Sequence, residues 1–281
     1  MFTILHFSDT HEIARFEHYH MLMDKRIIGF MNNRLLRKTG HGLHEAVIQA
    51  AVERILAEKP DLVLFTGDAT SCGQRGEFAT ALKRFTPILE SPLPFLYIPG
   101  NHDSYVKDIA CVKASREFCS LMNRGKYSMD DFPFVLDLGM IRLAAIHCAR
   151  PTAPMLSCGF MSKETSDFLR QEAEKESKTP LVVAGHFPLM DPHPIPHALH
   201  LLYGAKEAGR LLRQKRIALS LCGHVHKPYA ILDEKGRGEI SAGSLVGTGR
   251  LTKITYDDKQ DLFKLERIPL LSAVLPKNWT T

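Results

Sequence analysis

FTILHFSD, from Phe2 to Asp9, is a mostly apolar run that stops abruptly on an acidic residue. The same construction returns as DLVLFTGD (Asp61–Asp68), FLYIPGNHD (Phe95–Asp103), PLVVAGH (Pro180–His186) and RIALSLCGHVH (Arg216–His226). Short runs of aliphatic and aromatic residues bounded by Gly or Pro read as buried strands. Between them the pattern turns helical. Leu43 to Glu58 carries Val47, Ala51, Ile55 and Leu56 and ends before Pro60, and Glu77–Phe85 and Ser162–Ser177 read as further helices. Alternating strands and helices predict a largely parallel sheet with ligands beyond the strands' carboxyl ends. Hairpins overlay this pattern. FVLDLGMIRLAAIH turns around Gly139, YAILDEKGRGEIS at Gly236 and Gly238, and LTKITYDDKQDLFKLERI at Asp257 and Asp258. The expected fold is α/β, a four-layer α-β-β-α sandwich of two mixed sheets.

The 281 residues, 44% hydrophobic and 24% charged, exclude disordered, collagen-like and disulfide-scaffold chains. With no repeat or linker in the sequence, one domain over 1–281 is expected, carrying an insert at 12–44 and a tail at 271–281. No apolar run is long enough for a membrane span, and the N-terminus lacks signal-peptide character, so the expected location is cytoplasmic. Six scattered cysteines without a C-x-x-C pair fit free thiols. A net charge of +5 is too mild to imply a nucleic-acid partner.

Every one of the five runs ends in Asp, Asn or His: Asp9 and His11, Asp68, Asn101 with His102 and Asp103, His186, and His224 with His226. One such cluster is ordinary. Five at strand ends would crowd costly polar groups at one sheet edge unless they bind something. Imidazole and carboxylate donors without thiolate suit Mn, Fe, Zn, Ni or Co. A shared carboxylate could bridge two ions roughly 3.5–4 Å apart, as in two-metal hydrolytic sites.

D-x-H, G-D, G-N-H-D, G-H-x-P and G-H-x-H, in that order over residues 1 to about 245, resemble the calcineurin-like metallophosphoesterase superfamily. The resemblance implies two divalent or mixed-valence transition metal ions. Asp9, His11, Asp68 and His226 would hold the first; Asp68 would bridge, and Asn101, His186 and His224 would complete the second. It further implies a metal-bridging hydroxide as nucleophile and His102 as the acid for the leaving oxygen. Asp103 would hold the His102 ring through a carboxylate–imidazole bond.

GDATSCG lacks the G-D-x-V-D-R-G of the protein Ser/Thr phosphatases, and Ser71 stands where purple acid phosphatases place a ligating Tyr. His102 stands where the UDP-diacylglucosamine pyrophosphatases usually carry Arg. The closest pattern is that of class III cyclic-nucleotide phosphodiesterases and related bacterial phosphodiesterases. The expected function is therefore hydrolysis of a small, cyclic-nucleotide-like phosphodiester. The alternative is a pyrophosphatase or phosphatase for a nucleotide or lipid-linked substrate at a membrane surface.

That alternative rests on the insert. Residues 12–44 contain Arg15, Lys25, Arg26, Arg34, Arg37 and Lys38, with Met23, Ile27, Phe30, Met31 and Leu35 near helical spacing. They read as a helical hairpin packed on the body with a solvated basic face, or else as a lid with peripheral membrane contact. A second insert, Met190 to Gly204, carries His193, His197, His200 and Tyr203 beside the site. His6 and Cys222 read as structural, and His147 as a residue that could border the site.

Overall fold

Alternation along the first strand sets the layers. A computed structural model of the chain describes residues 1–15, 17, 21, 23–27, 41–190 and 200–271. In β1 (Phe2–Phe7), Phe2 and Ile4 point into a core between two sheets, while Leu5 and Phe7 point outward beneath helices. β2 (Leu62–Phe65) and β3 (Phe95–Tyr97) repeat this, with Leu62, Leu64 and Leu96 inward and Val63, Phe65 and Tyr97 outward. Strands buried on both faces explain why these runs read as continuous apolar stretches.

β1, β2 and β3 are parallel, and β12 (Arg250–Asp257) and β13 (Leu262–Pro269) extend the sheet antiparallel on the other side of β1. The second sheet has the order β10 (Tyr229–Leu232), β11 (Gly238–Ser241), β9 (Leu219–Cys222), β7 (Leu181–Ala184), β5 (Arg142–Ala145), β4 (Phe134–Asp137). Its outer pairs are antiparallel hairpins and its centre is parallel. Helices α1 (His41–Glu58), α2 (Arg75–Leu89) and α3 (Ile109–Met122) cover the first sheet, and α4 (Lys163–Glu174) and α5 (Lys206–Arg213) the second. The result is the expected four-layer sandwich. A short pair, β6 (Gly159–Phe160) with β8 (Leu202–Tyr203), joins the two loops that follow β5 and β7. Among the described residues, no helix is long and apolar enough to cross a membrane.

Helix α3 has no counterpart in the sequence reading. Its buried stripe is Cys111, Ser115, Phe118, Cys119 and Met122, which has helical spacing but too many small and weakly apolar residues to stand out. Asp108 caps it, accepting from the amides of Ala110 and Cys111. The last hairpin turns over Asp258–Asp261, slightly later than expected.

Candidate metal centre

Backbone bonds tie the first loop to the second, and the fourth to the fifth, before any side chain acts. Asp9 N donates to Gly67 O and His11 N to Asp68 O, both at 2.9 Å, and Gly223 N donates to His186 O at 2.9 Å. The sharp turns fall on the functional residues themselves. Asp9, His11, Asp68, His224 and His226 all have left-handed φ, between 50° and 68°. Asp, Asn and His tolerate that region better than most residues, but it remains strained. The neighbouring glycines chiefly supply room: a Cβ on Gly223 would lie 2.0 Å from Ser8 Oγ and 2.6 Å from Asp9 Oδ2.

One donor from each of Asp9, His11, Asp68 and His226 lies within 4.8 Å of the others. His226 Nε2 is 3.1 Å from Asp9 Oδ1, and His11 Nε2 is 3.0 Å from His226 Nε2. A second group adjoins it. His186 Nε2 lies 3.0 Å from Asn101 Oδ1 and 3.4 Å from Asp68 Oδ2, and His224 Nδ1 lies 2.9 Å from Asn101 Oδ1. All seven expected ligands are therefore brought together, with Asp68 Oδ2 common to both groups.

Backbone carbonyls, which can only accept, orient the two rings of the second group. His186 Nδ1 faces Thr66 O at 2.6 Å and His224 Nε2 faces His200 O at 3.0 Å. In the neutral rings the opposite nitrogens then present lone pairs toward the Asn101 and Asp68 oxygens. Asp9 Oδ1 and Asp68 Oδ2 are buried and make no hydrogen bond. Converging acceptors of this kind require a positive charge among them, so the residues fit a pair of bound cations. The electrostatics agree. Burial opposes ionisation of Asp68, yet the adjoining His186 and His102 hold its carboxyl well below the usual range. Burial likewise opposes protonation of His186, but Asp68 outweighs it and raises the ring to about 9. Burial, reinforced by His186, pushes His224 down to about 3.

His102 stands edge-on to His11, ring centres 4.8 Å apart. The expected bond from Asp103 to the His102 ring is corrected by the geometry: His102 Nδ1 meets the carbonyl of Ser71 at 2.6 Å. The Asp103 carboxylate instead gathers backbone donors, from Asp68 N (2.7 Å), Gly100 N (2.9 Å), Thr70 N (3.0 Å) and Ala69 N (3.3 Å), together with Thr70 Oγ1 (3.0 Å). Loop closure, with the carboxylate enclosed by amides, takes precedence over the adjacent ring. Burial and the Asp68 charge push Asp103 up to about 6.

His6 is fully buried, its Nε2 2.8 Å from Thr66 Oγ1, consistent with a structural part. Cys222 is buried in β9 and packs against Tyr229 and Ile240. His147 is held at about 4 by burial, with the backbone of Pro99 as a bonding partner. In the first insert Arg15 is exposed, as a solvated basic face requires, but three other described residues invert the expected polarity. Met23 is 89% exposed, whereas Lys25 and Arg26 are buried at 8% and 1%. Arg26 pairs with Asp24 and Asp108, so neither cation belongs to a solvated basic face. Arg34, Arg37, Lys38, Phe30, Met31, Leu35, His193, His197 and the tail beyond residue 271 lie outside the described residues. His200 contributes its carbonyl to His224. Two contacts of His102 escaped the sequence reading: Ser71, noted there only for the side chain it lacks, acts through its backbone, and the Tyr105 ring stacks on His102 at 4.9 Å. The signal for Tyr105 was an aromatic two positions past the G-N-H-D block.

Two mixed sheets thus lie between helices, with carboxylates and imidazoles converging at the ends of their central strands. Residues 2–228 match the calcineurin-like phosphoesterase family, and the chain belongs to it. It is 29% identical over 182 residues to the probable glycerophosphodiester phosphodiesterase GpdQ of Arcobacter nitrofigilis, covering 64% of this chain and 62% of that protein. It is 29% identical over 180 residues to the glycerophosphodiester phosphodiesterase GpdQ of Enterobacter lignolyticus, covering 61% and 58%. The chain thus spans less than two thirds of the length of these relatives. Its fold is similar to a dimetal phosphatase from Danio rerio (TM-score 0.63, 13% identity, 96% of each chain). It is also similar to purple acid phosphatase PPD1 of yellow lupin (TM-score 0.56, 11% identity, 95% of this chain and 53% of that one).

Proposed function

We propose that the protein is a dinuclear metal-dependent phosphodiesterase for small phosphodiesters of the glycerophosphodiester or cyclic-nucleotide kind. The observation that carries this reading is the pair of donor groups sharing Asp68 Oδ2, with His102 at their edge. Asp9, His11, Asp68 and His226 hold one ion, and Asp68, Asn101, His186 and His224 the other. Bound ions supply an acidified water and neutralise the charge of the phosphoryl oxygens. His102, fixed through Nδ1 on Ser71, has Nε2 for giving a proton to the departing oxygen as the P–O bond breaks. The names of the two curated relatives support a diester over a monoester.

The test compares bis-p-nitrophenyl phosphate with p-nitrophenyl phosphate, using metal-stripped protein reloaded with Mn. Diester turnover should be metal-dependent and well above monoester turnover. Asp68→Asn should lose metal and activity together, by at least about 10²-fold, beyond the usual effect of removing an outer partner of a ligand. A monoester preference, or diester turnover that survives chelation, would sink the reading.

A further inference from the structure

We propose that Tyr105 and Lys25 form a brace that positions His102, so that the described start of the first insert serves the leaving-group side of the reaction. This rests on the phosphodiesterase reading and deepens it. The Tyr105 ring lies nearly parallel to the His102 ring, centroids 4.9 Å apart and planes 14° apart. Tyr105 is 5% exposed, and its hydroxyl donates to the Lys25 carbonyl at 3.3 Å. Lys25 Nζ sits 4.5 Å from the centre of the same ring and donates to Thr152 Oγ1 at 2.6 Å and Leu156 O at 2.7 Å.

Each link has its own physical cause. An ammonium carries three N–H donors. Two of Lys25's contacts are the hydroxyl and the carbonyl of the loop after β5, and the third is the face of Tyr105, a cation–π contact. The tyrosine ring thereby contacts both Lys25 and His102. Gly73, with φ +66°, lets the GDATSCG loop pass close by: a Cβ there would lie 3.4 Å from Tyr105 Cβ and 3.2 Å from His102 O. Ser71, two residues before Gly73, presents the carbonyl that holds His102 Nδ1. The ring is fixed on three sides, by Ser71 at Nδ1, by His11 edge-on and by Tyr105 on its face. Tyr105 touches neither metal ligand donors nor the reacting atoms in this scheme, so it is a positioning residue. A proton donor set slightly off line matters most where the leaving group is a strong base.

The experiment uses the full chain loaded with Mn and two diesters, bis-p-nitrophenyl phosphate and glycerophosphoethanolamine, whose leaving groups are a phenolate and an alkoxide. Tyr105→Leu should lower kcat on the alkoxide diester about tenfold more than on the aryl diester, with metal content unchanged. Tyr105→Phe keeps the ring and should retain the wild-type ratio, and Lys25→Met should show the selective loss to a smaller degree. Equal losses on both diesters, or a Tyr105→Phe variant as impaired as Tyr105→Leu, would overturn the brace. Proton exchange at His102 Nδ1, read by NMR on the Zn-loaded protein, supplies a measure free of turnover. Tyr105→Leu should speed it by about tenfold as the ring leaves Ser71. If the wild type cleaves neither diester, the phosphodiesterase reading fails on its own. Unchanged exchange in Tyr105→Leu overturns the positioning role whichever way turnover falls.

Discussion

Asp103 follows His102 in the chain, yet its carboxylate works on the backbone of three neighbouring positions and of Gly100. Adjacency in sequence suggested a carboxylate–imidazole pair; the loop's own unsatisfied amides decided otherwise. Asp103→Asn replaces one acceptor oxygen by an NH2 that would face those donors. It should cost about 1–3 kcal/mol of stability, the penalty of stranded buried groups. Metal content should fall with it, and both leaving groups should suffer alike. A variant that keeps its metal and loses only alkoxide turnover would restore the ring-holding role. The identities at the centre were legible because Asp, Asn and His ended every apolar run. The left-handed backbone at Asp9, His11, Asp68, His224 and His226 was not, since local propensity assigns such turns to glycine. Each costs roughly 1–2 kcal/mol, a strain that the bonds between paired loops must hold.

At the scale of elements, the loop between β7 and the second insert is secured by a carboxylate from elsewhere in the sheet. Glu239 of β11 is fully buried and accepts from Leu189 N (2.6 Å), Tyr229 OH (2.8 Å), Ser220 Oγ (2.9 Å) and Met190 N (3.0 Å). Burial pushes it from 4.5 up to about 7, against the pull of those donors. The folded value lies above the unfolded one, so the native state binds the proton more tightly. That contribution is complete below about 4.5 and is lost as pH rises through about 7. Glu239→Gln removes the titration and one of the two acceptor oxygens. Urea titrations should show the stability of wild type relative to the variant declining between those pH values. Leu189 and Met190 amides should exchange faster in the variant. A difference independent of pH, with exchange unaltered, would contradict the anchoring role. Nothing in GEIS announces that Glu239 points inward. The hairpin was readable from Gly236 and Gly238, but the face of the glutamate depends on β11 lying inside a sheet between β9 and β10. Helix α3 was hidden for a related reason, its buried stripe being partly Ser and Cys.

The whole molecule divides the site between its two sheets. Asp9, His11, Asp68 and Asn101 follow strands of the first sheet, and His186, His224 and His226 follow strands of the second. Two packed sheets could be expected from parallel units with late hairpins. Which run belongs to which sheet could not, because strands buried on both faces carry the same apolar signature. With this division each proposed ion has ligands from both sheets: His226 joins the first sheet's residues around one, and His186 and His224 join Asp68 and Asn101 around the other. Metal binding should therefore stabilise the sandwich across its central interface. At a free ion concentration of about 100 times Kd the linkage gain is roughly 2.7 kcal/mol. For a chain of this size that is a rise of about 5 °C in Tm. The gain has a direction with pH. His186 is raised to about 9 by Asp68, so an entering cation must displace its proton, and proton competition weakens binding as pH falls. Calorimetry of stripped protein titrated with Mn should show a larger Tm rise at pH 8 than at pH 6. Asp68→Asn, which removes the oxygen common to both groups, should abolish most of the rise. A rise that is the same at both pH values and survives in Asp68→Asn would place the stabilising ions elsewhere on the molecule.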